Sequence, residues 1–207
     1  MMIPQIPLAE RVRPKTLDEY RGQDALLGPG KPIRRMIEND VLSSFILWGP
    51  PGTRKTTIAR IIAEQTNSEF HQINAVSSGV KDIRSIIDIG TQNKMAGRKT
   101  ILFIDEIHRF NKSQQDALLN SVESGVITLI GATTENPSFE VIPALRSRAR
   151  VYVLEELSAK NLEDILDSAI KKDEFLSGLN IGEIDKNFLI YLSGGDARSL
   201  LSIFEAA

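Results

Sequence analysis

Gly49-Pro-Pro-Gly-Thr-Arg-Lys-Thr56 joins a short apolar run, Phe45 to Trp48, to a stretch with Ile58, Ile61 and Ile62 at helical spacing. A glycine, four residues, then Gly-Lys-Ser/Thr is the phosphate-loop pattern. In such a loop, backbone N–H groups and a helix N-terminus cradle phosphate oxygens. The residues available for this are Gly49, Pro50, Pro51, Gly52, Thr53, Arg54, Lys55, Thr56 and Thr57. Lys55 would neutralise the β and γ phosphates of a nucleotide, and the Thr56 hydroxyl would coordinate Mg²⁺. One residue departs from the pattern, because Arg54 stands where the second glycine belongs. Glycine adopts positive φ freely, whereas arginine there costs about 1–2 kcal/mol. Its side chain would either crowd the phosphates or offset part of that cost with its charge.

About fifty residues later, Ile101-Leu-Phe-Ile-Asp-Glu106 is an apolar strand ending in two carboxylates. Asp105 can reach a Mg²⁺ shell, and Glu106 can orient and deprotonate an attacking water. Read alone, the pair is an ordinary solvated turn; its position after a phosphate loop favours the catalytic reading. His108 lacks a second histidine at metal-ligand spacing and reads as a structural or contact residue, and His71 has no assigned role. Gly131-Ala-Thr-Thr-Glu-Asn136 ends another strand. Its hydroxyls and amide suit either a γ-phosphate contact or a plain turn. Arg146, Arg148 and Arg150 alternate before the last strand, as solvated cations or as an arginine finger for a neighbouring subunit's ATP.

These residues need a scaffold, and the chain supplies an α/β alternation. Strands are expected at Phe45–Trp48, Phe70–Ile73, Thr100–Ile104, Val126–Gly131 and Val151–Leu154. Helices intervene, marked by Ile83, Ile86 and Ile87 and by Leu118, Leu119 and Val122. That order predicts a five-stranded parallel sheet sandwiched by helices. Before it, Pro4, Pro7 and Pro14 interrupt an irregular arm, and a helix is expected over Lys31–Asp40. After residue 155 only helical stripes remain, the last through Ala197, Leu200, Leu201 and Phe204.

The 207 residues carry a net charge of −2, with 42% hydrophobic and 25% charged residues, which is ordinary for a soluble globular chain. A wholly basic nucleic-acid surface is excluded, while a local patch around Arg34, Arg35 and Lys112 is not. With no cysteine and two histidines, thiolate chemistry is excluded and a reducing cytosolic compartment is expected. No apolar run is long enough to span a membrane, and Met1 to Lys15 does not read as a signal peptide.

In order along the chain, the phosphate loop, Asp105-Glu106, Gly-Ala-Thr-Thr, Ser147-Arg148 and Gly195-Asp-Ala-Arg198 resemble an AAA+ ATPase. The segments Leu8 to Leu17, Leu27 to Pro32, Asp105-Glu-Ile-His-Arg-Phe-Asn-Lys-Ser-Gln-Gln115 and Gly131 to Phe139 narrow this. They are similar to the replication-associated recombination protein A family, bacterial relatives of the Werner-helicase-interacting protein. The resemblance implies a P-loop AAA+ core with the arm over 1–155 and a partial helical lid over 156–207. It implies a DNA-dependent ATPase using ATP and Mg²⁺ at replication forks, DNA ends and gaps, in the cytoplasm near the nucleoid, with single-stranded-DNA-binding protein as partner. By position, Lys55 and Thr56 match Walker A and Asp105 and Glu106 match Walker B. Thr133 matches sensor 1, Arg148 the arginine finger and Arg198 sensor 2, while Tyr20, Gly22 and Gln23 match the segment near adenine.

Three departures accompany the resemblance. Arg54 replaces the Walker A glycine, and Arg146 and Ala149 replace the Leu and Cys that usually flank the finger. The family also continues about as far again, through the rest of the lid and an oligomerisation region. The 207 residues alone are therefore expected to be mainly monomeric and to hydrolyse ATP poorly. Two competing readings are a nucleotide-blind AAA+ scaffold, suggested by Arg54, and a RuvB-type branch-migration motor. The motor shares Gly-Ala-Thr-Thr but not the His108 to Gln115 segment.

Overall fold

A computed structural model describes residues 5–207; Pro4, expected to interrupt the arm, lies outside them. The chain divides into two compact units. One comprises Gln23–Gly49 and Lys55–Leu154 and carries the sheet. The other comprises the chain up to Gly22, Pro50–Arg54 and Glu155–Ala207, and is helical.

The sheet holds β1 (Phe45–Trp48), β2 (Glu69–Asn74), β3 (Thr100–Asp105), β4 (Thr128–Thr133) and β5 (Arg150–Val153). All pairs are parallel, in the order β2-β3-β4-β1-β5. Ile46, Leu102, Ile104 and Leu129 lie on one face with Ile83 and Ile86 of the helix Val80–Met95. The alternate residues Phe45, Leu47, Ile101 and Phe103 are buried as well. Cover on both faces is why the central strands read as unbroken apolar runs. Among the described residues no helix is long and apolar enough to cross a membrane.

Several boundaries differ from the sequence expectation. β4 begins at Thr128, not Val126, because the N–H groups of Val126 and Ile127 both donate to the Ser121 carbonyl. That contact closes the helix Leu119–Glu123 and removes two apolar residues from the ladder. β5 begins one residue early, at Arg150, although the Leu154 N–H still donates to the Trp48 carbonyl at 2.7 Å. The helix expected over Lys31–Asp40 runs Pro32–Glu38 and ends before Asp40, whose φ is +52°.

The helical unit is built on Ala159–Lys172, Lys186–Ser193 and Ala197–Ala206. Ser158, Asp185 and Asp196 cap their N-termini, each accepting a backbone N–H three residues on. The arm, expected to belong with the sheet, groups with this unit instead. Leu8 is fully buried among Leu162, Leu166, Leu200 and Leu201. Arg11 ties the arm down with a two-point bond to Asp173 at 2.6 and 3.1 Å and a third bond to Glu205 at 2.6 Å. The Arg11 guanidinium holds the Asp173 carboxyl below the usual carboxylate range, overcoming the opposing effect of burial.

A depressed carboxyl stabilises the fold above its unfolded value near 4, and that contribution disappears as pH falls through the folded value. Asp173→Asn is therefore expected to cost about 2 kcal/mol at pH 7, because it leaves Arg11 half-satisfied. It is also expected to flatten the loss of stability below about pH 4. Urea unfolding at pH 7 and pH 3 checks both.

Candidate functional site

Because the strands run parallel, their carboxyl ends share one edge, where open α/β sheets carry ligands. β1 ends at Trp48, in register with Thr133 of β4. The following Gly49 N–H donates to the Thr133 carbonyl at 3.1 Å. Asn74 pairs with Asp105 at the ends of β2 and β3. Glu106 leaves β3 with φ +54° and ψ +45°, a left-handed step for a glutamate. Such a step costs on the order of 1 kcal/mol and concentrates at functional sites. It is fixed on its far side by the fully buried Ile107 and by the Arg109 N–H, which donates to the Glu106 carbonyl at 2.8 Å.

Thr133 is 1% exposed, and its hydroxyl is fully engaged. It lies 3.0 Å from the Glu135 carbonyl, receives the Glu135 N–H at 2.9 Å and stands 3.0 Å from His108 Nδ1. A hydroxyl has one proton. Given to the Glu135 carbonyl, it obliges Nδ1 of His108 to donate, which leaves Nε2 with the lone pair in the neutral ring. The expected sensor threonine thus faces a histidine two residues past Glu106. The sequence reading of His108 as a contact residue did not identify its partner.

At the other end of the loop, Lys55 opens the helix Lys55–Gln65. Its Nζ donates to the Gly49 carbonyl at 2.7 Å, closing the loop on itself. Burial pulls the Lys55 ammonium down to about 8, against the opposing pull of Asp105. An ammonium that has lost water and faces a carboxylate is suited to receive a polyanion. Gly49 sits so close to the Leu154 carbonyl that a Cβ would lie 2.6 Å from it. Thr56 is half-buried at the helix start. Thr57 has only 3% of its surface exposed, so of the loop residues expected at a nucleotide it can offer only its backbone.

The loop segment Pro50–Arg54 groups with the helical unit. Thr53 is buried and bonds the Pro50 carbonyl through its hydroxyl at 2.9 Å. Gly52 has φ +79°, and a Cβ there would lie within 2.8 Å of Asp196. Arg54 has φ +59°, so the backbone keeps the left-handed step that a glycine would supply. Its guanidinium carbon lies 5.5 Å from the centre of the Tyr20 ring. Burial holds the guanidinium below its ordinary value, with Tyr20 opposing and Arg13 reinforcing the shift. Tyr20 is itself buried and donates its hydroxyl to the Thr53 carbonyl at 2.7 Å. Burial raises the Tyr20 phenol above its usual range. Tyr20 therefore anchors the loop, a contact that spacing could not reveal across 33 residues.

The remaining expected residues are placed as follows. Gly22 and Gln23 have positive φ, at +83° and +62°. Arg148 bonds Glu123 through Nη2 at 2.7 Å and the Ala144 carbonyl through Nη1 at 2.7 Å. Its guanidinium is held against its own subunit, and Nε of the neighbouring Arg146 is buried without a hydrogen-bond partner among the described residues. Arg198 is exposed in the first turn of Ala197–Ala206. Among the described residues no group of three or more His, Cys, Asp or Glu side chains could hold a metal alone. The fitting set is one hydroxyl, Thr56, and one carboxylate, Asp105, which matches Mg²⁺ shared with phosphate oxygens.

Residues 45–158 match the model of the ATPase family associated with various cellular activities (AAA). That is more than half of the chain, and the chain belongs to the AAA family of ATPases. It is 53% identical over 202 residues to replication-associated recombination protein A of Escherichia coli strain K12, covering 96% of this chain and 45% of that protein. The protein of the same name from Haemophilus influenzae is 50% identical over 202 residues, with the same coverage. The chain thus spans under half the length of these relatives. The solved Thermotoga maritima RuvB Holliday junction branch migration motor superposes with a TM-score of 0.72 at 28% identity. That match covers 95% of this chain and 64% of the motor.

Two outcomes follow from this geometry. Arg54→Ala keeps the left-handed step without the ring contact, whereas Arg54→Gly removes the strain. The glycine variant is expected to be more stable than the alanine variant by about 1 kcal/mol in denaturant unfolding. Thr133→Val removes the hydroxyl that fixes the His108 ring. Imidazole ¹⁵N spectra, simple in a chain with two histidines, are expected to show the Nδ1–H form of His108 giving way to a mixture of tautomers.

Proposed function

We propose that this chain is a Mg-ATP-binding AAA+ ATPase module that acts on DNA at replication forks, ends or gaps. The observation that carries it is Lys55, half-desolvated beside Asp105 and closing the phosphate loop on the Gly49 carbonyl. The residues supply a division of labour. Loop amides and Lys55 receive the phosphates, and Thr56 and Asp105 hold Mg²⁺, which when bound neutralises phosphate charge. Glu106 accepts a proton from the attacking water. Thr133 acts through His108, which it orients. Arg198 in the same chain and Arg148 of a neighbouring copy would stabilise transition-state charge, a contribution worth 10³–10⁵ in rate for arginine fingers. That need is why a homo-oligomer is proposed for the longer relatives.

The DNA assignment rests on the names of the relatives, two called replication-associated recombination protein A and one a Holliday junction branch migration motor. Greater identity to the former favours replication-associated recombination over branch migration. Single-stranded-DNA-binding protein is the protein partner proposed, and the compartment proposed is the cytoplasm near the nucleoid. A second reading, a scaffold that does not hydrolyse ATP, draws on Arg54 in the loop and on Arg148 held by Glu123. The retained Lys55, Thr56, Asp105 and Glu106 weigh against it.

Glu106→Gln is expected to leave Mg-ATP affinity within about threefold while slowing hydrolysis at least a hundredfold in single-turnover assays with forked DNA. Equal hydrolysis by both chains would remove Glu106 from its role. Binding is also expected to depend on pH. Lys55 must be charged to hold phosphate, and it loses its proton near pH 8 in the free chain. Affinity is expected to be flat below pH 7 and to fall toward tenfold per pH unit above 8. Without nucleotide the sign reverses for stability. The unfolded lysine keeps its proton to about 10.5, so this group favours the folded state increasingly between pH 8 and 10.5.

A further inference from the structure

The Arg54 side chain is directed to the arm. Its guanidinium lies against Tyr20 and borders a narrow cleft with Val12, Pro14, Glu19, Ile165 and Lys172. The acid in that cleft, Glu19, is already taken by Lys172 at 2.8 Å and by the Lys15 N–H at 2.9 Å. The cation Arg13 repels it. The Arg54 guanidinium has no hydrogen bond or ion pair among the described residues, so the aromatic face of Tyr20 is what holds it. The same tyrosine fixes the preceding residue through the Thr53 carbonyl. One side chain of the arm thus grips two consecutive residues of the phosphate loop, at the position where φ is +59°.

We propose that Arg54 and Tyr20 form a latch. It fixes the left-handed step of the phosphate loop and keeps the guanidinium out of the phosphate cradle, so that docking of the arm sets the affinity for nucleotide. Arg54 and Tyr20 are positioning residues in this scheme. The proposal rests on the Mg-ATP reading above, and it assigns a role to the one residue that breaks the loop pattern. A guanidinium without a carboxylate is attracted to any nearby polyphosphate; the ring contact competes with that attraction. Releasing the ring lets the side chain fall across the loop and lets the backbone leave its left-handed step.

The latch is read first in the intact chain without nucleotide. The Arg54 δ-methylene protons, assigned by their loss in Arg54→Gly, are expected to resonate upfield through the Tyr20 ring current. Unshifted protons would overturn the latch whatever the chain binds. Mg-ATP is then titrated into four chains: the unaltered one, Tyr20→Leu, Arg54→Gly and the double variant. Tyr20→Leu is expected to weaken binding about tenfold with Arg54 present, the size of a desolvated cation–ring contact. In the Arg54→Gly background it is expected to cost about twofold or less. Equal losses in both backgrounds would overturn the proposal, since Tyr20 would then act through Thr53 or the nucleotide alone. Binding by Arg54→Gly but not by the unaltered chain would overturn it too. A shifted Arg54 in a protein of which no variant binds Mg-ATP would leave the latch standing and sink the nucleotide reading instead.

Discussion

The left-handed step at residue 54 is the constraint on which the rest depends. A phosphate loop must turn sharply from the end of β1 into a helix that starts one residue later. The turn decides whether successive N–H groups converge on one point and whether Lys55 begins the helix facing back toward Gly49. Arginine meets that requirement at an energetic cost, with φ +59°. The cost is offset locally by the ring of Tyr20 and by the tyrosine hydroxyl on the Thr53 carbonyl. The pattern of glycine, lysine and threonine has lost one member, yet the backbone path it specifies is preserved.

The same economy of strain recurs at the carboxylate end. Glu106 leaves β3 in a left-handed conformation that no local sequence preference favours. Ile107, buried beneath it, and the hydrogen-bonded turn through Arg109 hold it there. Thr133 on the adjacent strand uses its hydroxyl to orient His108. Arg54 and Glu106, two of the five non-glycine positions with positive φ among the described residues, lie in segments assigned to phosphate or water. Strain in such places is retained when it aims a reacting group, and the packing around it is what keeps it from relaxing.

Much of this was legible in the sequence. The parallel sheet followed from apolar runs alternating with helical stripes, and the AAA family match over residues 45–158 agrees with the order of the motifs. The strand ends were less legible, since Val126 and Ile127 look like strand residues until Ser121 takes both of their N–H groups. The grouping of the arm was less legible, because nothing local links Leu8 or Arg11 to the helical cluster they join. The same distance problem hid the grip of Tyr20 on the loop. Periodicity reports which residues face a core, and it carries no information on which core. Thr57 fitted the loop by adjacency, yet the first helical turn rotates its side chain into the interior.

The most direct test is a crystal structure of the chain with Mg²⁺ and a non-hydrolysable ATP analogue. The triphosphate is expected on the backbone amides between Gly49 and Lys55. Lys55 Nζ should have left the Gly49 carbonyl for phosphate oxygens, while Arg54 keeps both its left-handed backbone and its place on Tyr20. Density for the analogue with Arg54 swung from Tyr20 into the phosphates would contradict it. So would a loop still closed by Lys55 on Gly49, with no analogue bound at saturating concentration.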